Sequence, residues 1–183
     1  MAQCENQPGP DLRRLVEANG EKLDTLLQKL EAMKIETKHE DEVKPRSEKV
    51  AFTAFLGVSG YERTSDYLKN IVYKNVTVNV GNAYNSETGF FTAPVKGAYF
   101  FTFTAADMLD GRYMKIALYK NKEQVLQLGK LGSDGALHYL NGGTTVLLEK
   151  GDTVNLRLPA DHHRLFDDVN NHNSFSGFLL FTM

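Results

Sequence analysis

The stretch AYFFTFT at residues 98–104 decides the fold class. Successive side chains of a strand point to opposite faces, so Tyr99, Phe101 and Phe103 share one face while Phe100 lies on the other. Alternating aromatic and β-branched residues predict a strand. One aromatic face can fill a core, but a second would be exposed on a single subunit, and such patches mark interfaces. The stretch therefore predicts a β-sheet protein that self-associates.

Similar short runs lie on both sides of this stretch. They occupy 71–80 (IVYKNVTVNV), 114–119 (MKIALY), 124–128 (QVLQL), 144–148 (TTVLL), 153–158 (TVNLRL) and 175–182 (FSGFLLFT). Turn residues separate them, as at Gly81-Asn82 and Asp110-Gly111. Short strands with turns and no helical stretch between them predict a sandwich or a barrel.

The aromatic residues divide the chain into two segments. All 11 Phe and all 8 Tyr lie in 50–183, and none lies in 1–49. The first segment carries 9 Lys+Arg and 11 Asp+Glu, whereas the second carries 12 of each. The first segment cannot build an aromatic core, while the second is long enough to bury a sizeable one. The overall net charge of −2 gives no sign of a nucleic-acid partner, which would call for a basic excess.

Residues 11–38 predict a helix with a narrow apolar seam. Asp11 follows Pro10 and can cap the start of this helix. The apolar residues recur at heptad core spacing, at Leu12, Val16, Leu23, Leu26, Leu30 and Met33. Asn19 takes a further core position, where it weakens the coiled coil but can fix its register. The segment predicts a short coiled coil for oligomerisation; the alternative is a single amphipathic helix on its own domain.

Cys4 is the one cysteine, in a predicted flexible tail at 1–10. It has no partner within its chain, so it is a candidate for an intermolecular disulfide, and the alternative is a free thiol. Residues 39–49 are charged, carry Pro45 and predict a linker to the domain at 50–183. The sequence has no apolar run of about 18 residues, so no membrane span is expected. It also shows no signal segment, so the protein is expected to be either cytosolic or a mature form whose signal was removed.

Seven residues stand at the spacings of a known family pattern. They are Asn79, Tyr84, Phe91, Gly97, Tyr99, Phe101 and Phe103. This pattern resembles the globular-head domain of complement C1q, in the tumour-necrosis-factor-like superfamily. Tyr73 stands where the pattern has Phe, while VAFTAFLG at 50–57 and SFSGFLLF at 174–181 are similar to the family's first and last strands. The resemblance covers about 50–183.

The resemblance implies an all-β, ten-stranded jelly-roll sandwich that packs as a tight homotrimer. It also implies a secreted, extracellular protein that binds ligands through exposed loops and faces. The sequence has no Gly-X-Y repeat, so it is most similar to cerebellin-like and other short secreted members without collagen, with the coiled coil in place of the stalk. Cys4 could then join trimers into higher oligomers.

Two functions follow from the resemblance. The first is multivalent pattern recognition of microbial or anionic surface ligands in innate immunity. The alternative is an extracellular signal of the cerebellin or adiponectin type that binds a cell-surface receptor. No nucleophile motif and no phosphate-binding Gly loop is present, so no enzyme and no catalytic residue is predicted.

Polar residues in the predicted loops 105–113, 129–143 and 159–174, and close to them, are candidate ligand contacts, because polar loops on a rigid sandwich often carry binding. The candidates are Arg112, Lys115, Lys130, Asp134, His162, His163 and Arg164. The cations between 112 and 130, which also include Lys120 and Lys122, suit an anionic ligand. The alternative is that they are ordinary outward-facing strand residues.

Metal and modification sites are weakly indicated. The His and Asp residues of 159–174 match no standard motif, so no metal site is predicted there. Some relatives hold calcium near the trimer axis, but Asp134 is the only carboxylate in the matching stretch 128–143, so axial calcium is the weaker expectation and no cofactor is predicted. Asn75 begins the only glycosylation sequon, Asn75-Val76-Thr77.

Overall fold

The computed structural model describes residues 12–43, 49–64, 66–161 and 163–183, with side chains of the helix described for 14–34. The chain divides into two compact units between residues 46 and 47. This division lies within the segment 39–49, which the sequence predicts to be a linker.

The first unit contains a long helix, α1 (Leu12–Val43). It ends at Val43 rather than at residue 38, so it continues into the predicted linker. Its apolar seam is open in the single chain, with Val16, Leu23 and Leu26 each at least 60 % exposed. The seam is therefore available to other helices.

The second unit forms thirteen strands among the described residues. They are β1 (Ala51–Phe55), β2 (Gly60–Arg63), β3 (Lys69–Asn70), β4 (Asn75–Val80), β5 (Tyr84–Asn85), β6 (Phe90–Thr92), β7 (Gly97–Met108), β8 (Tyr113–Lys120), β9 (Glu123–Leu131), β10 (Leu137–Leu148), β11 (Thr153–Leu158), β12 (Arg164–Asp167) and β13 (Ser174–Thr182). The count exceeds ten because the chain also forms short strands, such as the two-residue β3 and β5.

Two antiparallel sheets make the sandwich. The first sheet has the order β10-β7-β13-β1-β4, and the second has the order β5-β6-β11-β8-β9, with β3 paired to β11. A separate two-stranded antiparallel sheet pairs β12 with β2. The predicted all-β jelly roll with an N-terminal helix is confirmed. The stretch 159–174 is not all loop as predicted, because β12 lies within it.

Aromatic side chains fill the space between the sheets. Phe52 of β1 stacks on Tyr84 with ring centroids 4.7 Å apart and meets Phe175 edge-on at 4.9 Å. Phe91 contacts Phe101 at 5.2 Å, and both rings are fully buried. Edge-to-face and offset pairs of this kind stabilise a core beyond their buried area. The inward face of the stretch 98–104 therefore serves the core, as the alternation predicts.

Side-chain hydrogen bonds connect Asn79, Tyr84 and Tyr73. The Asn79 side-chain amide donates to the Tyr84 carbonyl at 2.8 Å and its oxygen accepts the Tyr84 N–H at 3.2 Å. The Tyr84 hydroxyl accepts the N–H of Tyr73 and donates to the carbonyl of Tyr73, both at 3.1 Å. Burial raises the pKa of Tyr84 to about 12, against the opposing effect of its bond to Tyr73. The network satisfies backbone groups that no sheet partner reaches.

Gly97, at the start of β7, allows two strands to approach closely. A Cβ at this position would lie 2.5 Å from the carbonyl oxygen of Phe181 and 2.8 Å from Cδ1 of Leu179. The first contact is with backbone, which cannot turn away as a side chain can. Glycine is therefore required here for space.

Candidate functional site

A cavity of about 480 Å³ opens beside the start of β8. It is lined by Arg112, Tyr113, Lys115, Asp161 and His163. Three of these, Arg112, Lys115 and His163, are among the residues predicted to contact ligand. The structure thus brings the segment 112–115 together with Asp161 and His163, which sequence alone does not place side by side.

Local geometry fixes the aromatic member of the pocket. Tyr113 begins β8, opposite Leu131 of β9, and its ring lies over Gly129. A Cβ on Gly129 would come 2.5 Å from the Tyr113 hydroxyl oxygen, so glycine leaves room for the ring in the position it takes. The Lys115 ammonium lies 5.0 Å from the centre of the same ring. Tyr113 therefore presents a positioned aromatic surface at the rim of the cavity.

His163 forms a buried wall of the pocket. Its Nδ1 bonds the carbonyl oxygen of Tyr113, and its buried Nε2 has no hydrogen-bond partner among the described residues. Burial lowers the pKa of His163 below its ordinary 6.5, and the nearby Lys115 acts in the same direction. The bond to Tyr113 and the charge of Asp161 oppose that shift. The ring is therefore neutral near pH 7, with Nδ1–H donating and Nε2 left as an acceptor.

The lining carries a small positive excess. Arg112 and Lys115 are cations, Asp161 is an anion, and the neutral His163 leaves a formal charge of +1. Arg112 also contacts Asp110 outside the lining, with its Nε 3.4 Å from a carboxylate oxygen. The pocket therefore suits a ligand that carries one negative charge together with polar groups.

Arg164 differs from the prediction. It is 5 % exposed, and its Nε donates to both carboxylate oxygens of Asp107 at 2.9 and 3.1 Å. Its Nη2 donates to the Met108 carbonyl at 2.6 Å and lies 3.2 Å from Asp110. Desolvation raises the pKa of Asp107, against the ion pair with Arg164, which favours the charged carboxylate. The guanidinium is therefore a buried structural group and is not placed to contact ligand.

Lys130 and Asp134 lie apart from the pocket lining. Lys130 pairs with Met114, whereas Lys115 pairs with Gly129, so the two lysines point to opposite faces of the sheet. Asp134 bonds Nε2 of His138 at 2.8 Å and accepts the Ala136 N–H at 3.1 Å. The bond to His138, followed by that to Ala136, holds the pKa of Asp134 below its usual range.

Asn75 and Lys120 do not line the pocket. Asn75 is exposed on β4, an edge strand of the first sheet, where its side chain is accessible. Lys120 is engaged by Asp152 at 3.0 Å and is not part of the pocket. Cys4 and His162 lie outside the described residues.

The outer face of the first sheet is apolar and open. The strand register aligns one row of side chains across five strands, and the row reads Val80, Ala51, Phe178, Phe100 and Thr145. The rings of Phe178 and Phe100 are 5.7 Å apart. A second row places Leu147 and Phe181 on either side of Ala98, and these two side chains are 58 % and 59 % exposed. We call these two rows the apolar face. Phe100 is the one aromatic residue of the apolar face that the alternation in 98–104 predicts to point outward.

Two further findings concern the described part of the chain. Its side chains include no cluster of three or more His, Cys, Asp or Glu residues that could hold a metal ion. Among the helical residues that the structure describes, no helix has the length and apolar character needed to cross a membrane.

Solved structures define the class of this fold. The globular domain of zebrafish complement 1qA protein superimposes with a TM-score of 0.59 at 22% identity, over 74% of this chain and 100% of that one. The tumour necrosis factor Eiger from S. frugiperda superimposes with a TM-score of 0.58 at 15% identity, over 74% of this chain and 94% of that one. The second unit is thus a jelly roll of the C1q and tumour-necrosis-factor type.

The chain belongs to the C1q domain family, whose profile matches residues 51–180. The predicted resemblance is therefore confirmed. The mouse and human complement C1q tumor necrosis factor-related protein 3 are each 32% identical to it over 142 residues, which is 75% of this chain and 53% of the relative. The chain therefore spans about half the length of the curated relatives it matches.

Proposed function

We propose that this protein is a secreted, non-enzymatic homotrimer that binds ligands, most directly microbial or anionic surface components in innate immunity. The observation that carries the proposal is the apolar face on a domain of the C1q family. Its aromatic side chains remain exposed in one subunit, and contiguous exposed patches of this kind mark protein interfaces.

The geometry of the apolar face suits self-association. Phe178 and Phe100 stand side by side on adjacent strands, with Val80 beyond Ala51 in the same row and Leu147 in the second row. Burying such side chains contributes roughly 1.5–3 kcal/mol each relative to leaving them in water. Three copies packed around an axis would cover this face on every subunit, which closes the assembly.

The helix supports the same assembly. Short isolated helices are marginal in water. A seam that includes Val16, Leu23 and Leu26 gains stability when the attached domains hold the helices together, because linkage raises their effective concentration. The helix and the domain therefore reinforce one oligomer.

The pocket remains open in such a trimer. Tyr113 and Lys115 belong to β8 of the second sheet, whereas the apolar face belongs to the first. Association through the first sheet therefore leaves three pockets accessible on one particle. Weak sites presented together raise the overall affinity for a repetitive surface strongly.

A second function is favoured by the curated relatives. The match to complement C1q tumor necrosis factor-related protein 3 supports an extracellular signal that engages a cell-surface receptor. Binding of the full chain to arrayed bacterial surface components and to intact mammalian cells separates the two. Binding to several microbial components that disappears in a monomeric variant supports pattern recognition. Saturable binding to one cell-surface protein, with no microbial binding, contradicts it and supports the alternative.

A further inference from the structure

We propose that the pocket lined by Arg112, Tyr113, Lys115, Asp161 and His163 binds one acidic sugar unit, a hydroxylated ring that carries a carboxylate. This inference rests on the proposed ligand-binding function and names the chemical class of the ligand. The pocket lies within a single chain, so its ligand can be tested separately from the oligomeric state.

His163 carries a buried ring nitrogen that has no hydrogen-bond partner among the described residues. The side chain is about 95 % buried, being 5 % exposed, and it lines the cavity. Its Nδ1 is taken by the Tyr113 carbonyl, which leaves the buried Nε2 as an acceptor without a donor among the described residues. Burying a polar atom without a partner costs free energy. A ligand hydroxyl is a donor of the required kind once a small movement of the pocket wall exposes this buried atom.

The lining of the pocket carries a net positive charge. Arg112 and Lys115 can each form charge-assisted hydrogen bonds with a carboxylate. Asp161 accepts hydrogen bonds from hydroxyl groups but repels a second negative charge. The combination therefore favours a singly charged, hydroxylated ligand over a phosphate dianion, and over a neutral sugar.

Tyr113 presents a flat aromatic surface to the pocket. Its ring is held over Gly129, is 42 % exposed and has the Lys115 ammonium 5.0 Å from its centre, so the ring and this cation together form an exposed rim that can receive a ligand. Pockets for small ligands combine such an apolar wall with a few polar groups that fix orientation. A pyranose ring, with an apolar side of C–H groups and an edge of hydroxyls, matches this arrangement. The cavity volume of about 480 Å³ accommodates one such unit with its neighbours extending outward.

The test uses the full chain and two matched oligosaccharides. The probes are a hyaluronan tetrasaccharide, which carries glucuronate carboxylates, and chitotetraose, which is neutral and of the same length. Ligand-observed saturation-transfer NMR at pH 7 gives the dissociation constant of each. We expect the acidic probe to bind at least tenfold more tightly, because a lost charged hydrogen bond corresponds to about a tenfold change or more. Equal binding of the two probes, or no binding of either, overturns the inference.

Variants locate the binding. Lys115→Gln removes one pocket cation, and Lys122→Gln removes a cation from the exposed turn after β8, outside the pocket lining. We expect Lys115→Gln to weaken binding of the acidic probe about tenfold and Lys122→Gln less than twofold. Tyr113→Leu should weaken binding and remove the saturation transfer that selective irradiation of aromatic protons gives to the C–H face of the sugar. Equal losses in the two lysine variants would show a diffuse charge effect and overturn the inference.

Competition separates a sugar site from a general anion site. Sodium glucuronate should displace the tetrasaccharide, whereas inorganic phosphate at the same concentration should not; displacement by phosphate alone contradicts the assignment. Light scattering on the same samples reports the oligomeric state. A monomer that binds the acidic probe overturns the trimer but keeps this inference, and a trimer that binds neither probe does the reverse.

Discussion

Arg164 and Asp107, 57 positions apart in the sequence, form a buried ion pair. Their hydrogen bond is bifurcated, because Nε of Arg164 donates to both carboxylate oxygens, at 2.9 and 3.1 Å. The pair ties β12 to the end of β7, next to the turn that leads to Arg112. The guanidinium also lies over the ring of Tyr61 on β2, 4.5 Å from its centre. One residue thus fixes the β2–β12 pair to the first sheet, on the side of the molecule that holds the pocket.

Replacement of Arg164 by Met should destabilise the domain strongly. The change leaves the Asp107 carboxylate buried without its cation, and breaking a buried pair in this way costs about 3–5 kcal/mol. Urea unfolding followed by circular dichroism measures the free energy of unfolding. Arg112→Met, which removes a half-exposed cation from the same region, is the control and should change stability by less than about 1 kcal/mol. Similar values for the two variants would contradict the structural role of Arg164.

Replacement of Tyr84 by Phe should cost about 1–3 kcal/mol, because it leaves the buried N–H and carbonyl of Tyr73 without partners. Tyr67→Phe removes an exposed hydroxyl and should be close to neutral. Thermal and urea unfolding of both variants check this. If Tyr84→Phe is as stable as Tyr67→Phe, the hydroxyl does not carry the network described for it.

Replacement of Gly97 by Ala should destabilise the domain by about 1–3 kcal/mol, since the new methyl group meets the Phe181 carbonyl at 2.5 Å. The same substitution at Gly20 meets no atom within 4 Å and removes a helix-interior glycine. It should therefore stabilise the helix by about 1 kcal/mol. Calorimetry should show a lower melting temperature of the domain in Gly97→Ala and a higher melting temperature of the helix in Gly20→Ala. A stabilised Gly97→Ala variant would show that β7 and β13 are not held at this distance.

His163 should make stability fall in mild acid. Its folded-state pKa is depressed, first by burial, below the ordinary 6.5. The neutral form is therefore favoured by folding, so its contribution is complete above about pH 6.5 and is lost as pH falls through the lower folded value. Unfolding curves of the wild type and of His163→Gln between pH 5 and 7.5 isolate this effect. We expect the stability of the wild type to fall more steeply with decreasing pH; parallel curves would contradict the depressed pKa.

The sequence predicted those parts of the molecule that depend on local periodicity. Alternation in 98–104 placed Tyr99 and Phe101 in the core and Phe100 on the outside, because the strand period of two is a property of neighbouring residues. The heptad spacing predicted α1 in the same way. It did not predict the end of the helix, since a charged segment with no breaker before Pro45 can be helical or extended.

The candidate site was only partly predictable. Arg112 and Lys115 were found as cations near a turn, but their meeting with Asp161 and His163 depends on tertiary contact between distant segments. Arg164 carries the same local signals as its exposed neighbours, and only its pairing with Asp107, fixed by the fold, makes it structural.

The homotrimer is the central claim, and light scattering of residues 47–183 tests it most directly, since this unit lacks α1 and depends on the apolar face alone. Wild type should scatter as three subunits at micromolar concentration, and the full chain, with a reductant to keep Cys4 from linking trimers, should give three times its 20.5 kDa. Phe178→Glu, which places a charge at the centre of the apolar face, should give a folded monomer. A wild-type domain that is monomeric under these conditions, or a Phe178→Glu variant that remains trimeric, would contradict the account.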